Sequence, residues 1–250
     1  MTATAPELGG RRGTYGVDAP YVPLLMGAGA ALALAIGIAS AIAGVAGLGV
    51  AAGYFAFFLL LSGADYLYAS LFGKFAVWAQ LLRSLELRGD EHVLDLGCGR
   101  GAVILAAAKF LPRGRAVGID LWKTSDQLGN ALEVTKRNAA LEGVAERVDL
   151  RTGDMRALPF DDGSFDLVLS SLAIHNIPDL AGRTKAIDEA VRVLRPGGRI
   201  LIVDINGTRE YEARLRQLGM AWAERRSIGP RMWFGGPWVA ASLVSARRPA

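Results

Sequence analysis

The sequence predicts an α/β fold: a mostly parallel sheet with helices on both faces and an antiparallel last strand, set behind two membrane-spanning helices. Three observations carry this prediction. Residues Ala19 to Ala64 form a run of 46 without a single charge. From Gly89 onward, short apolar segments alternate with helical ones, the pattern of parallel strands joined by crossover helices. Two late strands have no helix between them and so pair antiparallel.

Composition sets outer limits. Of 250 residues, 52% are hydrophobic without counting glycine, above the usual ~45–50% that includes it, which excludes a disordered chain. One cysteine excludes an intrachain disulfide and a multi-cysteine metal site. Two histidines exclude a histidine-rich centre, so no metal is expected. Lys+Arg 28 against Asp+Glu 24 is a mixed surface: it argues weakly for nucleic acid and suits an anionic membrane face equally well.

In chain order, residues 1–20 read as a flexible N-terminal segment. As one helix the uncharged run would be roughly 69 Å long, about twice the ~30 Å hydrocarbon core. Two spans fit better, Tyr21–Ala43 and Ala46–Ser62 within a hairpin over 21–63, turning at Gly44-Val45-Ala46-Gly47. Small residues recur four apart, Gly37 with Ala41 and Gly49 with Gly53, a spacing that lets membrane helices approach closely. Packing inside the hairpin is the expectation; a homo-oligomer through the same helices is the alternative. Arg11 and Arg12 precede the spans, Lys74 and Arg83 follow them, and the turn has no charge. The positive-inside rule then places both termini and the catalytic domain in the cytoplasm. A signal peptide would begin nearer Met1 and be shorter.

Residues 64–88 read as an amphipathic connecting helix, with Leu67, Leu71, Phe75, Trp78 and Leu82 at helical spacing; it lies on the membrane surface or packs on a sheet edge. The domain over 89–250 then alternates. Strands are expected at His92–Leu96, Ala116–Leu121, Arg147–Thr152, Asp166–Ser171 and Arg199–Asp204. Helices are expected at Ala102–Leu111, Gln127–Glu142 capped by Thr124 or Ser125, Ala181–Leu194 and Arg209–Trp222. The turn Arg195-Pro196-Gly197-Gly198 introduces the fifth strand. The unconnected pair is Ala223–Ile228 and Trp238–Ala246.

The first strand ends in Asp95-Leu96-Gly97-Cys98-Gly99-Arg100-Gly101. Glycines let the backbone turn tightly and approach a ligand, and a helix after them points free N–H groups at an anion. Gly97, Gly99 and Ala102 also satisfy the dinucleotide pattern G-x-G-x-x-G/A. Other features separate the two readings: Asp95 inside the strand, Asp120 ending the second strand, Asp154-Met155 after the third, Leu158-Pro159-Phe160 before the fourth, and Arg195-Pro196-Gly197-Gly198-Arg199 before the fifth. With these, the sequence from about Leu87 to the C-terminus resembles the class I S-adenosylmethionine-dependent methyltransferases, especially the branch that methylates quinones and small molecules.

The resemblance implies a Rossmann-like seven-stranded sheet with S-adenosyl-L-methionine as cofactor. It implies that Asp95, Gly97, Gly99 and Gly101, with Cys98 between them, surround the methionine part of that cofactor. Asp120, followed by Leu121 and Trp122, matches the acidic residue at the ribose hydroxyls, with Trp122 placed to stack near adenine or simply to fill core. Asp154 and Met155 match the pair beside adenine. Ser170 and Ser171 lie where the fourth strand opens toward the methyl group. Turn or cap chemistry would explain any one of these acids alone; their joint placement after successive strands favours a site.

Ser171-Leu172-Ala173-Ile174-His175-Asn176 follows the fourth strand. A phenol or enol acceptor needs a base near working pH, and an imidazole titrates in that range. His175 and Asn176 are therefore the candidate acceptor-side residues, His175 being either a base or a residue that orders its loop. Cys98 is not read as a nucleophile, and His92 reads as structural. No N/D-P-P-Y/F follows the fourth strand, which argues against exocyclic amines of bases, and no nucleic-acid partner is expected. Spans plus a cytosolic cofactor point to a membrane-anchored methyltransferase acting on a hydrophobic small molecule, lipid or quinone. A soluble acceptor with the anchor only for location, a non-catalytic cofactor-binding membrane module, and a nicotinamide dehydrogenase are the alternatives. Arg231–Trp238 touches the bilayer, lines an acceptor pocket, or packs in the core.

Overall fold

The computed structural model describes residues 10–250; residues 1–9 of the expected flexible segment lie outside the described residues. Helix α1, Tyr21–Ile42, turns at Gly44 into α2, Ala46–Tyr68. The hairpin packs through small side chains. Ala30, Ala33 and Ala56 are buried together, and a Cβ on Gly37 would sit 3.3 Å from the Gly49 carbonyl oxygen. Gly37 and Gly49 thus face each other inside the hairpin, as the intramolecular reading expects, whereas a Cβ on Gly53 would meet nothing. The outer faces carry large apolar side chains that no described residue covers, among them Leu24 (71% exposed), Phe57 (66%) and Ile42 (83%). Both helices are long and apolar enough to cross a membrane.

The second helix does not end at Ser62. It runs on through a π-helical turn, Ala69–Gly73, into α3, Lys74–Ser84, an unbroken 39-residue helix from Ala46 to Ser84. The lower part is not a surface helix. Val77, Trp78, Leu81 and Leu82 are buried in the core that covers one face of the sheet, which settles the choice in favour of packing on the domain.

The sheet has seven strands: β1 His92–Leu96, β2 Arg115–Asp120, β3 Val148–Thr152, β4 Phe165–Ser171, β5 Leu194–Asp204, β6 Ala221–Ser227 and β7 Ser242–Arg247. Their order is β3-β2-β1-β4-β5-β7-β6. β1 to β5 pair in parallel, and β7 runs antiparallel to both β5 and β6. The central strands β1 and β4 and the second half of β5 read as near-continuous apolar runs because helices cover both faces, whereas the edge strands β3 and β6 carry charged side chains that reach solvent. One core lies under α3 and α4 (Ile104–Ala108); the other lies under α6 (Leu180–Arg192) and α7 (Thr208–Gln217). Helix α6 starts at Asp179, whose carboxylate accepts from the Gly182 N–H at 2.6 Å, a normal N-cap.

Three helices are shorter than their patterns suggest, α4 being only Ile104–Ala108 where the pattern predicts Ala102–Leu111. Helix α5 is Leu132–Leu141, beginning five residues after Gln127. Gln127 instead forms an antiparallel bridge to Asp18, so a contact from the N-terminal segment overrides local helix propensity, and neither Thr124 nor Ser125 caps a helix. Helix α7 stops at Gln217 because Gly219, at φ 73°, reverses the chain into β6.

The strand order reverses between β1 and β4. In open parallel sheets, ligands bind outside the carboxyl ends of the strands at such a switch point.

Candidate active site

The loop after β1 needs its glycines. Gly97, Gly99 and Gly101 have φ of 72°, 49° and 92°, values costly for any residue with a Cβ. A Cβ on Gly97 would collide with Ala173 and lie 3.3 Å from Met155 Cε. The β1 loop, Met155 and the loop after β4 therefore converge on one point. Asp95 Oδ2 accepts the Ile104 N–H at 3.0 Å, tying the strand to α4. Its Oδ1 is buried without a partner among the described residues. Burial pushes the Asp95 carboxyl up to about 8. Cys98 is also buried, and burial raises its thiol; it packs under β2 as a small apolar side chain, and a Cβ on Gly118 would lie 2.7 Å from its Sγ.

Asp120 closes the loop. Its Oδ2 accepts the Gly99 N–H at 2.8 Å; its Oδ1 accepts the Trp122 N–H at 2.6 Å and Asn130 Nδ2 at 3.2 Å. Burial raises its carboxyl despite these donors. Asn130 was not singled out by its sequence context, and its own Oδ1 is buried without a partner among the described residues. Trp122 sits at φ 57° with its indole N–H on Thr152 Oγ1 at 2.8 Å, so it bridges the ends of β2 and β3; Leu121 beside it is half exposed. Asp154 is engaged by Arg156, whose Nε and Nη2 lie 3.0 and 2.6 Å from its Oδ2. That guanidinium holds the Asp154 carboxyl below its ordinary range.

At the end of β4 the two serines are used by the protein itself. Ser170 donates to the Leu96 carbonyl at 3.0 Å and is fully buried. Ser171 Oγ accepts the indole N–H of Trp78 at 2.8 Å, joining α3 to the site. His175 lies in a 3-10 turn, Ile174–Asn176, with Nδ1 2.5 Å from Asp204 Oδ1. Its neighbour Asn176 is exposed, its Nδ2 3.5 Å from the Leu172 carbonyl. Asp204, Asn130 and Trp78 are the members that sequence reasoning did not find.

From Gly10 on, the N-terminal segment forms a strap across the loops. The Leu128 N–H donates to Val17 O at 3.0 Å, and Arg100 Nη2 donates to Thr14 Oγ1 at 2.9 Å. Gln127 Nε2 donates to Asp18 Oδ1 at 3.1 Å, while its Oε1 accepts the Arg100 N–H at 2.9 Å. Asp18 also holds the helix: Lys74 Nζ and Ser70 Oγ donate to its carboxylate, and Tyr66 donates to its carbonyl. Lys74, one of the basic residues after the spans, is a buried ion-pair partner of Asp18. The segment between β6 and β7 completes the junction. Gly73 in the π turn packs on the Arg231 carbonyl so tightly that only glycine fits. Met232 and Phe234 are core, the Phe234 ring lies 5.4 Å from Tyr66, and the exposed Trp238 ring lies 5.4 Å from Phe58.

Two buried acceptors without donors, Asp95 Oδ1 and Asn130 Oδ1, stand beside a glycine cradle. S-Adenosylmethionine is rich in matching groups, with an ammonium, two ribose hydroxyls and an exocyclic amine, so the residues fit it.

Residues 94–202 match the family described as Methyltransferase domain. The demethylmenaquinone methyltransferase of Lactiplantibacillus plantarum is 36% identical over 126 residues, 50% of this chain and 49% of that protein. The sterol 4-C-methyltransferase strm-1 of Caenorhabditis elegans is 30% identical over 132 residues, 53% of this chain and 36% of that protein. The chain thus spans about half or less of these relatives' length. A SAM-dependent methyltransferase from Aquifex aeolicus superposes with a TM-score of 0.54 at 17% identity, covering 68% of this chain and 88% of that one, which shows a shared fold.

Proposed function

We infer that this chain, whose residues 94–202 match the Methyltransferase domain family, is a membrane-anchored class I S-adenosylmethionine-dependent enzyme that methylates a hydrophobic small molecule, lipid or quinone. One observation carries the reading. The helix that begins as a candidate span at Ala46 continues unbroken to Trp78, whose indole N–H is hydrogen bonded to Ser171 at the mouth of the site. Bilayer and acceptor side are contiguous through one helix. Relatives named for a quinone and a sterol substrate support the same class.

The bound cofactor supplies a methyl group on a sulfonium, already a good leaving group. The protein's task is alignment, which can supply much of the acceleration. The Gly97–Gly101 loop holds the methionine part, Asp120 and Asn130 take the ribose side, and Trp122 forms the rim. Asp154 reaches adenine only by sharing its carboxylate with Arg156. His175 faces the acceptor.

The test is mass spectrometry of membrane extracts incubated with the purified chain and methyl-labelled cofactor. Label in an extractable lipid or quinone fraction supports the reading; label confined to water-soluble metabolites overturns the lipophilic acceptor.

A further inference from the structure

The segment between β6 and β7 leaves the sheet and climbs the second helix of the hairpin. The Arg231 carbonyl packs against Gly73 in the π turn. Phe234 then meets Tyr66 edge to face, with ring centroids 5.4 Å apart. Gly235 sits in the notch between the two helices, where a Cβ would lie 3.1 Å from Met26 Cε on α1 and 3.6 Å from the Ser62 carbonyl oxygen on α2. Trp238 reaches Phe58, again at 5.4 Å. From Gly73 to Phe58 the climb is about 22 Å at ~1.5 Å per residue. The uncharged part of α2, residues 46–64, is about 28 Å long, close to the ~30 Å of hydrocarbon in a bilayer. Phe58 lies about 9 Å inside its lower end. Trp238 shares that depth and is 62% exposed.

Backbone that enters hydrocarbon must satisfy its polar groups within the protein, and the tip of this segment is built accordingly. The Phe234 N–H donates to the Val239 carbonyl at 3.0 Å, the Val239 N–H to the Gly236 carbonyl at 3.1 Å, and the Ala241 N–H to the Met232 carbonyl at 2.9 Å. The N–H groups of Gly235 and Gly236 face the Asp65 carboxylate, and Pro237 has no N–H to satisfy. Asp65, the first acid after the uncharged run, thus receives the tip where the hairpin meets the domain.

We propose that the β6–β7 segment is a third membrane-contacting element, a wedge that sets the Trp238 indole into the phospholipid leaflet beside α2 and leaves Arg226 and Arg231 at the level of the phosphates. The proposal rests on the membrane-anchored reading and adds to the hairpin a contact made by the catalytic domain itself. An indole combines an apolar body with one N–H and favours the boundary between hydrocarbon and headgroups. Arg226 is exposed near the carboxyl end of β6 and Arg231 is exposed at the foot of the hairpin, and a guanidinium suits a phosphate. The wedge also leads straight back to the site. Ser242, which opens β7 just after it, pairs with Asp204 at the carboxyl end of β5. The leaflet is thereby fastened to the strand ends that face the cofactor.

Depth is read by tryptophan fluorescence of the purified full chain in phosphatidylcholine vesicles, with lipids brominated on their acyl chains as one quencher and acrylamide in the buffer as the other. Subtracting the Trp238→Phe signal from wild type isolates Trp238. Trp222→Phe isolates Trp222 in the same way, an indole 75% exposed at the opposite end of β6 and so a reference for water. Phe57→Trp in the Trp238→Phe background places a reference indole on the outer face of α2 at nearly the same height. The expected Trp238 signal is quenched by brominated chains as strongly as the Phe57→Trp signal and is shielded from acrylamide, while Trp222 shows the reverse. A Trp238 signal quenched by acrylamide alone, beside a Phe57→Trp signal quenched by brominated lipid, overturns the wedge and leaves the membrane anchor intact. A Trp238 signal reached by neither quencher means that a second copy of the chain or another protein covers the indole, and this too overturns the wedge. If acrylamide reaches both indoles and brominated lipid reaches neither, the anchor itself falls and the wedge with it.

Discussion

The Lys74 ammonium lies 2.8 and 2.7 Å from the two carboxylate oxygens of Asp18, with 4% of the lysine side chain exposed. This pair joins the strap over the glycine loop to the helix that rises into the hairpin. Removing one partner of a buried pair leaves an uncompensated charge, typically costing about 3–5 kcal/mol. Asp18→Ala is expected to lower the thermal unfolding midpoint in detergent, and Asp18→Ala with Lys74→Met to recover most of the loss. A single variant as stable as wild type would remove the pair from the list of structural supports.

Asp120 organises the loop, and the proposed function gives it the ribose side. Asp120→Ala is expected to weaken S-adenosylmethionine and its demethylated product together, by about 1.5–3 kcal/mol for a charge-assisted hydrogen bond. Calorimetry reads this directly; unchanged affinity would sink the ribose assignment.

Asp95 is held up to about 8 by burial and is largely neutral at pH 7. A cationic ligand group near its orphan oxygen favours the ionised form. Cofactor binding at pH 7 is therefore expected to release a proton, seen as a dependence of the binding heat on buffer ionisation enthalpy. Asp95→Asn should abolish the release; an equal release in that variant would place the proton elsewhere.

Glu142 anchors the strap's start. Burial raises its carboxyl, but Lys109, the Gly13 N–H, the Tyr15 hydroxyl and the Arg12 N–H together bring it down to about 2. A depressed acid contributes stability that is present above its unfolded pKa, near 4.5, and lost as pH falls through the folded value. Unfolding midpoints are expected to fall between about pH 4.5 and 2, more shallowly in Glu142→Gln. Identical slopes in the two proteins would dismiss Glu142 as a determinant of acid stability.

The two-span reading predicts that reporters fused ahead of residue 10 and after Ala250 both report the cytoplasm, and that one inserted at Gly44-Val45 reports the opposite side. Opposite signals from the two ends would require a single span.

Much of this was legible in the sequence, for local reasons. Strands β1 and β2 declared themselves as short apolar runs closed by Gly97 and Asp120, and Gly97, Gly99 and Gly101 because only glycine adopts their backbone angles cheaply. What stayed hidden depends on long-range pairing. Asp204 is 29 residues from His175 and Lys74 is 56 from Asp18, and no spacing rule links such positions. Gln127 reads as helix by its neighbours, yet it is bound by a side chain 109 residues earlier. Helix α3 looked amphipathic in either setting; only the buried Trp78 and Leu82 distinguish a domain face from a lipid face.

The unbroken helix from Ala46 to Ser84 is more than an attachment. A flexible tether would let the domain tumble and sample acceptors from every direction. A stiff shaft, clamped below by the sheet and braced above by the Gly73–Arg231 and Trp238–Phe58 contacts, fixes the attitude of the strand ends to the hairpin, and so to a bilayer if the hairpin spans one as proposed. On the proposed membrane-anchored reading, enzyme and a lipophilic acceptor would then meet by lateral diffusion in two dimensions. Encounter frequency follows the acceptor's mole fraction among lipids, and diluting the vesicles in buffer at constant lipid composition leaves it unchanged.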